Sequence, residues 1–396
     1  MTDRHPLRIL MLCPQYRPVL GGYERAAERL SVALVAQGHH VTVLTERTNR
    51  AWPAREALDG VDVQRIWCMP RRGLQTVSAL WSQLWFLLLH GRRFDVWHAH
   101  QYGIRTALAV AVGKLLGRPM ILKLTSTGEQ GLAAHIAREH LPGLVGALHR
   151  RLAAVVATTR ETYDEACRFG IPASRVHLFG NAIDVEAFHP RSVEERARLR
   201  KTLGIDAAGV VIYVGRFAAV KNPLALVRAW ERAASELPGW ILLFLGEGPL
   251  ETELRTTAEA LGVADSITVV GRRSDIPDWL GASDIYALCS VREGLSNSLI
   301  EAMAGGLPAV CMQVSGVDEL VREPGTGIVV PQDDIAAFAD ALVRLGRDSA
   351  TRVRMGEVGR KVVTGRFACD TIARHHVDLY KSLLDPPRKL PQNATA

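Results

Sequence analysis

Short apolar runs alternate with segments of helical composition along this chain of 396 residues. Such an alternation is typical of parallel α/β architecture, in which each strand is followed by a helix that packs on the sheet. Because both halves of the chain show it, we predict two doubly wound, Rossmann-like domains. The predicted strands are residues 7–13, 40–45, 61–66, 96–100, 120–124, 155–158 and 176–179 in the first half, and residues 210–214, 240–245, 267–270, 285–289, 309–312 and 328–330 in the second.

The boundary between the predicted domains follows a change in composition that begins at His189. Residues 1–188 form the first predicted domain and residues 189–369 the second, which is a usual size for each. The helical segment 370–384 is expected to pack back on the first domain. The Pro-rich tail, residues 385–396, is expected to be disordered.

Composition excludes several classes of protein. The six cysteines form no C-x-x-C pair and several lie in apolar runs, which indicates reduced thiols in a cytoplasmic protein. The N-terminus lacks the apolar segment of a signal peptide, and the longest apolar stretch, residues 79–89, is too short to span a bilayer. No basic stripe interleaved with aromatic residues is present, so we expect no nucleic-acid partner.

A tryptophan-rich segment lies between two arginine pairs, Arg71-Arg72 and Arg92-Arg93. As a helix it would carry one apolar stripe, formed by Trp81, Leu84, Trp85 and Leu88. Two interpretations remain open: the stripe packs on the first domain's sheet, or it rests with the arginines on the cytoplasmic leaflet of a membrane. Residues 1–190 carry 23 Lys+Arg against 15 Asp+Glu, a surplus that suits an anionic membrane or substrate but that a codon bias toward arginine would also produce.

The stretch from Glu293 to Glu301 is the first candidate for a functional site. Glu293 should lie in a strand-to-helix loop and Glu301 within the following helix, and Ser296, Asn297 and Ser298 are residue types that cap helices. A helix N-terminus at the carboxyl end of a strand binds anions, and two carboxylates beside it can hold ribose or hexose hydroxyls. The alternative is that Glu293 only makes a favourable contact with the helix dipole and that Glu301 is solvated.

Three further turns are predicted at the same edge of the second domain. Arg216 and Lys221 follow the first strand of that domain, and two cations in front of a helix beginning near Asn222 suit a diphosphate. Gly246-Glu247 and residues 271–275 end the next two strands. The four turns together predict one continuous pocket, although surface charges around a helix start are the alternative for Arg216 and Lys221.

In the first domain, Gly21-Gly22 precedes a helix and would let phosphates approach the backbone; a loop glycine pair without function is the alternative. Neither this pair nor residues 246–251 complete a G-x-G-x-x-G fingerprint, which argues against a nicotinamide or flavin cofactor.

His98 and His100 share one face of a predicted strand. A metal ion would need a third ligand and none is evident, so we predict no metal site and place both histidines at the cleft between the domains. Lys123 lies within an apolar strand, where it either faces the cleft or pairs with a carboxylate. Thr125 and Glu129 complete this set of candidate acceptor and cleft residues.

These motifs, in this order, resemble family 4 of the glycosyltransferases, retaining enzymes with the two-domain GT-B fold. The resemblance covers nearly the whole chain. It rests on Gly21-Gly22-x-Glu24-Arg25, Asn181-Ala-Ile-Asp184, Val214-Gly-Arg216 with Lys221-Asn222, Gly246-Glu-Gly-Pro249, and Glu293-x7-Glu301 followed by residues 302–308.

The resemblance implies that the domains face a central cleft and that a sugar is moved from a nucleotide diphosphate, by default a UDP-sugar, to a hydroxyl of a glycan, lipid-linked or small-molecule acceptor bound by the first domain. Arg216 and Lys221 would hold the diphosphate, Gly22 would let a loop close over it, Glu293 would bind the donor sugar and Glu301 the ribose. Amides around Ser296, Asn297, Ser298 and Leu299 would meet phosphate and sugar oxygens.

The chain departs from the family at Thr125, near which many members have a histidine that contacts the donor sugar. It also contains no Asp-x-Asp triplet, so arginine and lysine must neutralise the leaving group, and we expect neither metal nor cofactor. The alternatives are a sugar-nucleotide epimerase or hydrolase of similar fold, a phosphorylase, for which no clear pyridoxal-phosphate lysine is present, and a non-catalytic sugar-nucleotide-binding subunit.

Overall fold

The structure is a computed structural model that describes residues 5–19, 21–69, 71, 73–321 and 325–384. It divides into two compact units: unit 1 is residues 1–182 with 369–396, and unit 2 is residues 183–368. The predicted disordered tail and Arg72 lie outside the described residues.

Unit 1 contains an eight-stranded sheet in the order β3-β4-β2-β1-β5-β6-β7-β8, parallel except for β3. Its strands are β1 (Arg8–Leu12), β2 (His40–Arg47), β3 (Arg55–Leu58), β4 (Val61–Trp67), β5 (Val96–Ala99), β6 (Met120–Leu124), β7 (Ala154–Ala157) and β8 (Val176–Leu178). Its first six helices are α1 (Gly22–Ala36), α2 (Leu74–His90), α3 (Ile104–Leu116), α4 (Leu132–Ala137), α5 (Pro142–His149) and α6 (Arg160–Arg168).

Unit 2 contains a six-stranded parallel sheet in the order β11-β10-β9-β12-β13-β14. Its strands are β9 (Gly209–Val214), β10 (Trp240–Leu245), β11 (Ile267–Gly271), β12 (Ile285–Leu288), β13 (Ala309–Met312) and β14 (Gly327–Val330). Its helices are α7 (Val193–Leu203), α8 (Pro223–Ala234), α9 (Glu251–Ala260), α10 (Ile276–Gly281), α11 (Asn297–Ala304), α12 (Ser315–Val321), α13 (Ile335–Arg347) and α14 (Ser349–Phe367).

Both sheets are covered by helices on both faces, which explains why their strands are continuous apolar runs. Alternate residues of β1 enter different cores, Ile9 and Met11 on one face of the sheet and Leu10 on the other. Each run predicted as a strand is a strand, and the prediction of two doubly wound domains is confirmed. The strand that was not predicted is β3, which pairs with β4 in the antiparallel direction.

The final helix, α15 (Cys369–Leu384), belongs to unit 1. Ile372 and Tyr380 are buried in the same core as Ile9, where α15 packs beside α1. The units divide after Ala182, earlier than the predicted boundary at residue 188, because Ile183 packs in a core of unit 2 and its amide donates to Phe367 O at 2.8 Å.

The apolar stripe of α2 does not pack on the sheet of unit 1. Trp81, Trp85 and Leu88 are exposed and Leu84 is half-buried, whereas the buried residues of this helix are Ala79, Gln83 and Leu87. The sheet-packing interpretation of the stripe is therefore wrong. Among the described residues, no helix combines the length and apolar character that crossing a bilayer requires.

Candidate functional site

The turns that follow β9, β10 and β11 lie side by side at the carboxyl edge of unit 2. Gly215 N donates to Leu245 O at 3.0 Å, and Gly246 N donates to Gly271 O at 2.9 Å. Because these bonds continue the strand order beyond the sheet, the three turns form one edge.

Glycine is required in the turn after β10. Gly246 has φ of +150°, and a Cβ there would lie 1.9 Å from Gly215 O. A Cβ on Gly248 would lie 2.3 Å from Phe217 O. The backbone of residues 215–217 therefore leaves no space for a side chain at position 246 or 248, which explains the two glycines of the Gly-Glu-Gly sequence.

Lys221 and Glu293 come together at this edge. Lys221 ends a short 3-10 turn. The next residue, Asn222, has a φ of +46° and is the N-cap of α8. The Lys221 ammonium forms an ion pair with the Glu293 carboxylate, and Ser290 Oγ donates to Glu293 Oε1 at 2.8 Å. Val291 N donates to Val220 O at 2.9 Å and so ties the two loops together.

The pair is partly shielded from solvent. The Lys221 side chain is 27% exposed and that of Glu293 is 8% exposed. Glu301 is also buried, at 3%, which rules out the alternative that this glutamate is solvated. Arg216 is exposed, and its carbonyl oxygen accepts a hydrogen bond from Tyr213 Oη at 3.1 Å.

The N-terminus of α11 is capped as predicted. Ser296 Oγ accepts a hydrogen bond from Leu299 N at 3.4 Å and lies 3.3 Å from Ser298 Oγ. Tyr286 Oη donates to Ser298 Oγ at 2.7 Å, and burial raises the pKa of Tyr286, which keeps it protonated. The Leu299 amide is thus engaged by the cap, while Asn297 is half-buried.

Glu247 lies farther out on the same edge, where its carboxylate pairs with Arg272 at 3.2 Å and both side chains are more than half exposed. In unit 1, Gly22 is exposed and begins α1, and Gly21 is the N-cap. A Cβ on Gly21 would lie 2.5 Å from Glu24 Oε2, so the missing side chain leaves room for this carboxylate.

His98, in β5, and His100, directly after that strand, lie inside unit 1. His98 Nδ1 is 2.8 Å from Tyr380 Oη, and the His98 ring stacks on His100 at 4.6 Å and on His376 at 5.5 Å. The placement of His98 at a cleft is corrected by these contacts, because α15 closes over this face of the sheet. Burial lowers the pKa of His98 and His100 well below the usual value and that of His376 to about 3.

Lys123 is buried beside these histidines, and its Nζ has no hydrogen-bond partner among the described residues. Burial lowers the pKa of Lys123 to about 8. The predicted pairing of Lys123 with a carboxylate is therefore wrong. Thr125 is half-buried and Glu129 exposed in the following loop, so the structure does not bring the five candidates of unit 1 together. In the part of the chain that the structure describes, no group of three His, Cys, Asp or Glu residues could hold a metal ion.

A pocket that was not predicted from the sequence lies at the carboxyl ends of β1, β2 and β4. Its walls include Glu46 and Arg105, which form an ion pair, and Gln83 and Tyr102. The pocket has about 410 Å³ of atom-free space including its open mouth. Glu46 directly follows a predicted strand, and this position could have marked Glu46 as a candidate site residue. Its pairing with Arg105 on α3 could not have been predicted, because only the tertiary fold brings the two residues together.

Known proteins match both halves of the chain. Residues 195–362 match the family described as glycosyl transferases group 1, and residues 21–182 match the glycosyl transferase 4-like domain. The lipopolysaccharide core biosynthesis mannosyltransferase LpsB of Rhizobium meliloti is 30% identical, over 74% of this chain and 81% of that protein. The α-D-kanosaminyltransferase of Streptomyces kanamyceticus is also 30% identical, but the match spans 59% of this chain and only 61% of that protein.

The fold is similar to that of solved GT-B glycosyltransferases. The crystal structure of Anabaena Alr3699/HepE in complex with UDP and glucose has a TM-score of 0.78 and 18% identity, over 95% of this chain and all of that chain. At that identity the likeness concerns the fold alone. The sequence matches carry the assignment further: this chain belongs to family 4 of the glycosyltransferases.

Proposed function

We propose that the chain transfers a sugar from a nucleotide diphosphate, a UDP-sugar, to an acceptor hydroxyl, with retention of configuration and without a metal ion. The observation that carries this proposal is the Lys221–Glu293 ion pair, held by Ser290 at the carboxyl edge of unit 2. An edge that presents cations, a buried carboxylate and a helix N-terminus together suits a nucleotide sugar.

Each side chain has a distinct task in this proposal. Arg216 and Lys221 bind the diphosphate and neutralise the charge that develops on the departing nucleotide. Glu293 fixes Lys221 in the apo state and accepts hydrogen bonds from the donor sugar when the site is filled. Glu301 binds the ribose, and the N-terminus of α11 faces the remaining oxygens.

The acceptor is a glycan, a lipid-linked sugar or a small molecule, and we place the reaction in the cytoplasm, with peripheral contact to the inner leaflet of the membrane. The relative LpsB is named for lipopolysaccharide core biosynthesis, which supports an acceptor carried by a lipid. The UDP and glucose bound to HepE support the choice of uridine.

The test is a panel of UDP-glucose, UDP-N-acetylglucosamine and GDP-mannose in excess EDTA, scored for nucleotide release by mass spectrometry with and without an acceptor mixture. We expect release of UDP from one donor, faster with acceptor, and a product whose anomeric configuration matches the donor. Release that needs added Mg²⁺ or Mn²⁺ would contradict the metal-free mechanism. Conversion of the sugar without transfer would favour an epimerase, and binding without release a non-catalytic subunit.

A further inference from the structure

Helix α2 exposes a large apolar face. Its 17 residues include no Asp, Glu, Lys or Arg. The exposed apolar side chains and their exposed fractions are Leu74 (49%), Val77 (64%), Trp81 (59%), Trp85 (46%), Leu88 (38%) and Leu89 (67%). Five of these follow each other at intervals of three or four residues, so they form one continuous stripe rather than scattered contacts.

The opposite face of α2 is firmly anchored. Gln83 is buried, and its Nε2 donates to Arg105 O at 2.9 Å, while Leu87 enters the core beneath the sheet. The Trp81 and Trp85 rings touch edge to face at 5.7 Å on the outside. The orientation of the helix is therefore fixed, and its apolar stripe points outward as a property of the fold.

Basic side chains surround the ends of this face. Arg92 and Arg93 follow α2 and are exposed. Arg118 Nη2 donates to Arg92 O at 2.9 Å, so the C-terminal end of α3, with the exposed Lys114, lies close to them. Arg71 is exposed at the opposite end. From residue 71 to residue 94 the sequence contains no acidic residue.

We propose that this face, defined as the α2 stripe with Arg92 and Arg93, binds an anionic lipid surface. The helix would lie in the plane of the headgroups, with the tryptophans at the interface and the aliphatic residues below them. The inference deepens the proposed function, on which it rests, by naming the surface and the class of lipid that the enzyme meets. A lipid-linked acceptor would then reach the enzyme by diffusion within the membrane.

A second copy of the chain is the main competing occupant. A symmetric pair of α2 helices would set arginines against arginines, because residues 71–94 are basic at both ends of the helix and contain no acid. The nearby Glu46 and Asp95 are already engaged by Arg105 and by the Arg8 amide. A lipid surface with phosphate headgroups complements both ends at once. Charge complementarity therefore favours the membrane.

The experiment is co-sedimentation of the full chain with vesicles of phosphatidylcholine, alone or with ~30% phosphatidylglycerol, at low salt and at ~0.5 M salt. Two variants remove the face: Trp81→Ser with Trp85→Ser, and Arg92→Gln with Arg93→Gln. Two matched controls change exposed residues of unit 2: Val193→Ser with Val353→Ser, and Arg228→Gln with Arg232→Gln. Circular dichroism checks that each variant is folded, and size-exclusion chromatography reports self-association.

We expect binding to the anionic vesicles only, weakened by salt, with a blue shift of tryptophan emission. The arginine variant should bind about 30-fold more weakly, and the tryptophan variant at least ~10-fold more weakly without the blue shift. Both controls should bind like the unmodified chain. Failure to bind anionic vesicles overturns the proposal, as does equal loss in the controls. A dimer that the tryptophan variant abolishes would assign the face to a second copy. Nucleotide release without vesicles tests the proposed function separately.

Discussion

Two lysines show how differently the two units treat a cation on a parallel sheet. Lys221, in the loop after β9, is 27% exposed and paired with Glu293. Lys123, within β6, is 1% exposed, and its ammonium nitrogen has no hydrogen-bond partner among the described residues. A cation beyond a strand end can pair with a carboxylate and meet a ligand, whereas burial within a strand lowers the pKa of a lysine and so favours its neutral form.

The neighbours of each lysine extend the contrast. Around Lys221, the polar groups are already oriented by hydrogen bonds, as a preorganised binding site requires. Around Lys123, burial lowers the pKa values of His98, His100 and His376, and α15 closes over them. The first group is oriented to bind a ligand, and the second is a polar cluster within a core, in which burial favours the neutral form of the histidines.

The largest effect is expected at the edge of unit 2. Lys221→Ala or Arg216→Ala should lower the transfer rate by about 10²–10³-fold, because each removes a donor aimed at the leaving group. Arg255→Ala, which breaks an exposed ion pair of α9, is the matched control and should leave the rate unchanged. Steady-state kinetics of both variants, with circular dichroism to verify folding, make the measurement; a near-normal rate in Lys221→Ala would remove its assigned role.

The next effect concerns Lys123. Its pKa is about 8 when folded against an ordinary value of 10.5, so the folded state binds fewer protons and stability rises with pH between these values. Below pH 8 the buried, protonated lysine lowers the free energy of unfolding by the full amount, about 3 kcal/mol. Lys123→Met should therefore stabilise unit 1 at pH 7 by about that amount, while donor binding is unchanged.

Hydrogen exchange of the β5 and β6 amides measures this stabilisation locally. Exposed Lys114→Met is the control and should change little. Slower exchange in Lys123→Met at pH 7, with the difference from the unmodified chain vanishing toward pH 10.5, supports the account. Faster exchange in Lys123→Met would show that the ammonium has a partner that stabilises the folded state.

A smaller effect is expected for His376 in mild acid. Its pKa falls from 6.5 to about 3 on folding, so stability is fully present above pH 6.5 and is lost as the pH falls below that value. At pH 5 the loss is about 2 kcal/mol from this histidine. His376→Leu should reduce the acid sensitivity of α15 in hydrogen exchange between pH 7.5 and pH 5, and exposed His375→Leu should not; equal sensitivity in all three proteins would contradict the assignment.

The smallest effect is expected at the cap of α11. Ser296→Ala removes the oxygen that accepts from Leu299 N, which should cost about 1 kcal/mol of local stability. Donor affinity should fall only a few-fold, since the helix N-terminus itself remains. Thermal melting and a donor titration measure the two quantities; an unchanged melting curve would show that water replaces the cap.

The alternation of apolar runs was enough to predict both sheets, because parallel strands buried on both faces are mostly apolar along their length. The strand β3 was missed because Arg55–Leu58 is a short edge strand with two charged residues among its four. The pairing of Lys221 with Glu293 joins residues 72 positions apart. Sequence motifs placed both at one edge but could not show that one holds the other.

The interior of unit 1 was less predictable for a related reason. A histidine or lysine near a strand end is compatible with a cleft or a core, and what decides is the element that covers it. His98 is covered by Tyr380, 282 positions later in the chain. The exposure of the α2 stripe could not be predicted for the same reason. Helical spacing predicts that an apolar stripe exists, but not which face of the helix packs on the sheet.

The most direct test of the central claim is calorimetric titration of UDP in excess EDTA into the unmodified chain, Lys221→Ala and Lys123→Met. We expect metal-free binding to the unmodified chain and no change in Lys123→Met. Binding to Lys221→Ala should be about 10–100-fold weaker, because a charged hydrogen-bond donor is lost. Equal affinity in Lys221→Ala, or a loss confined to Lys123→Met, would contradict the assignment of the nucleotide site to the edge of unit 2.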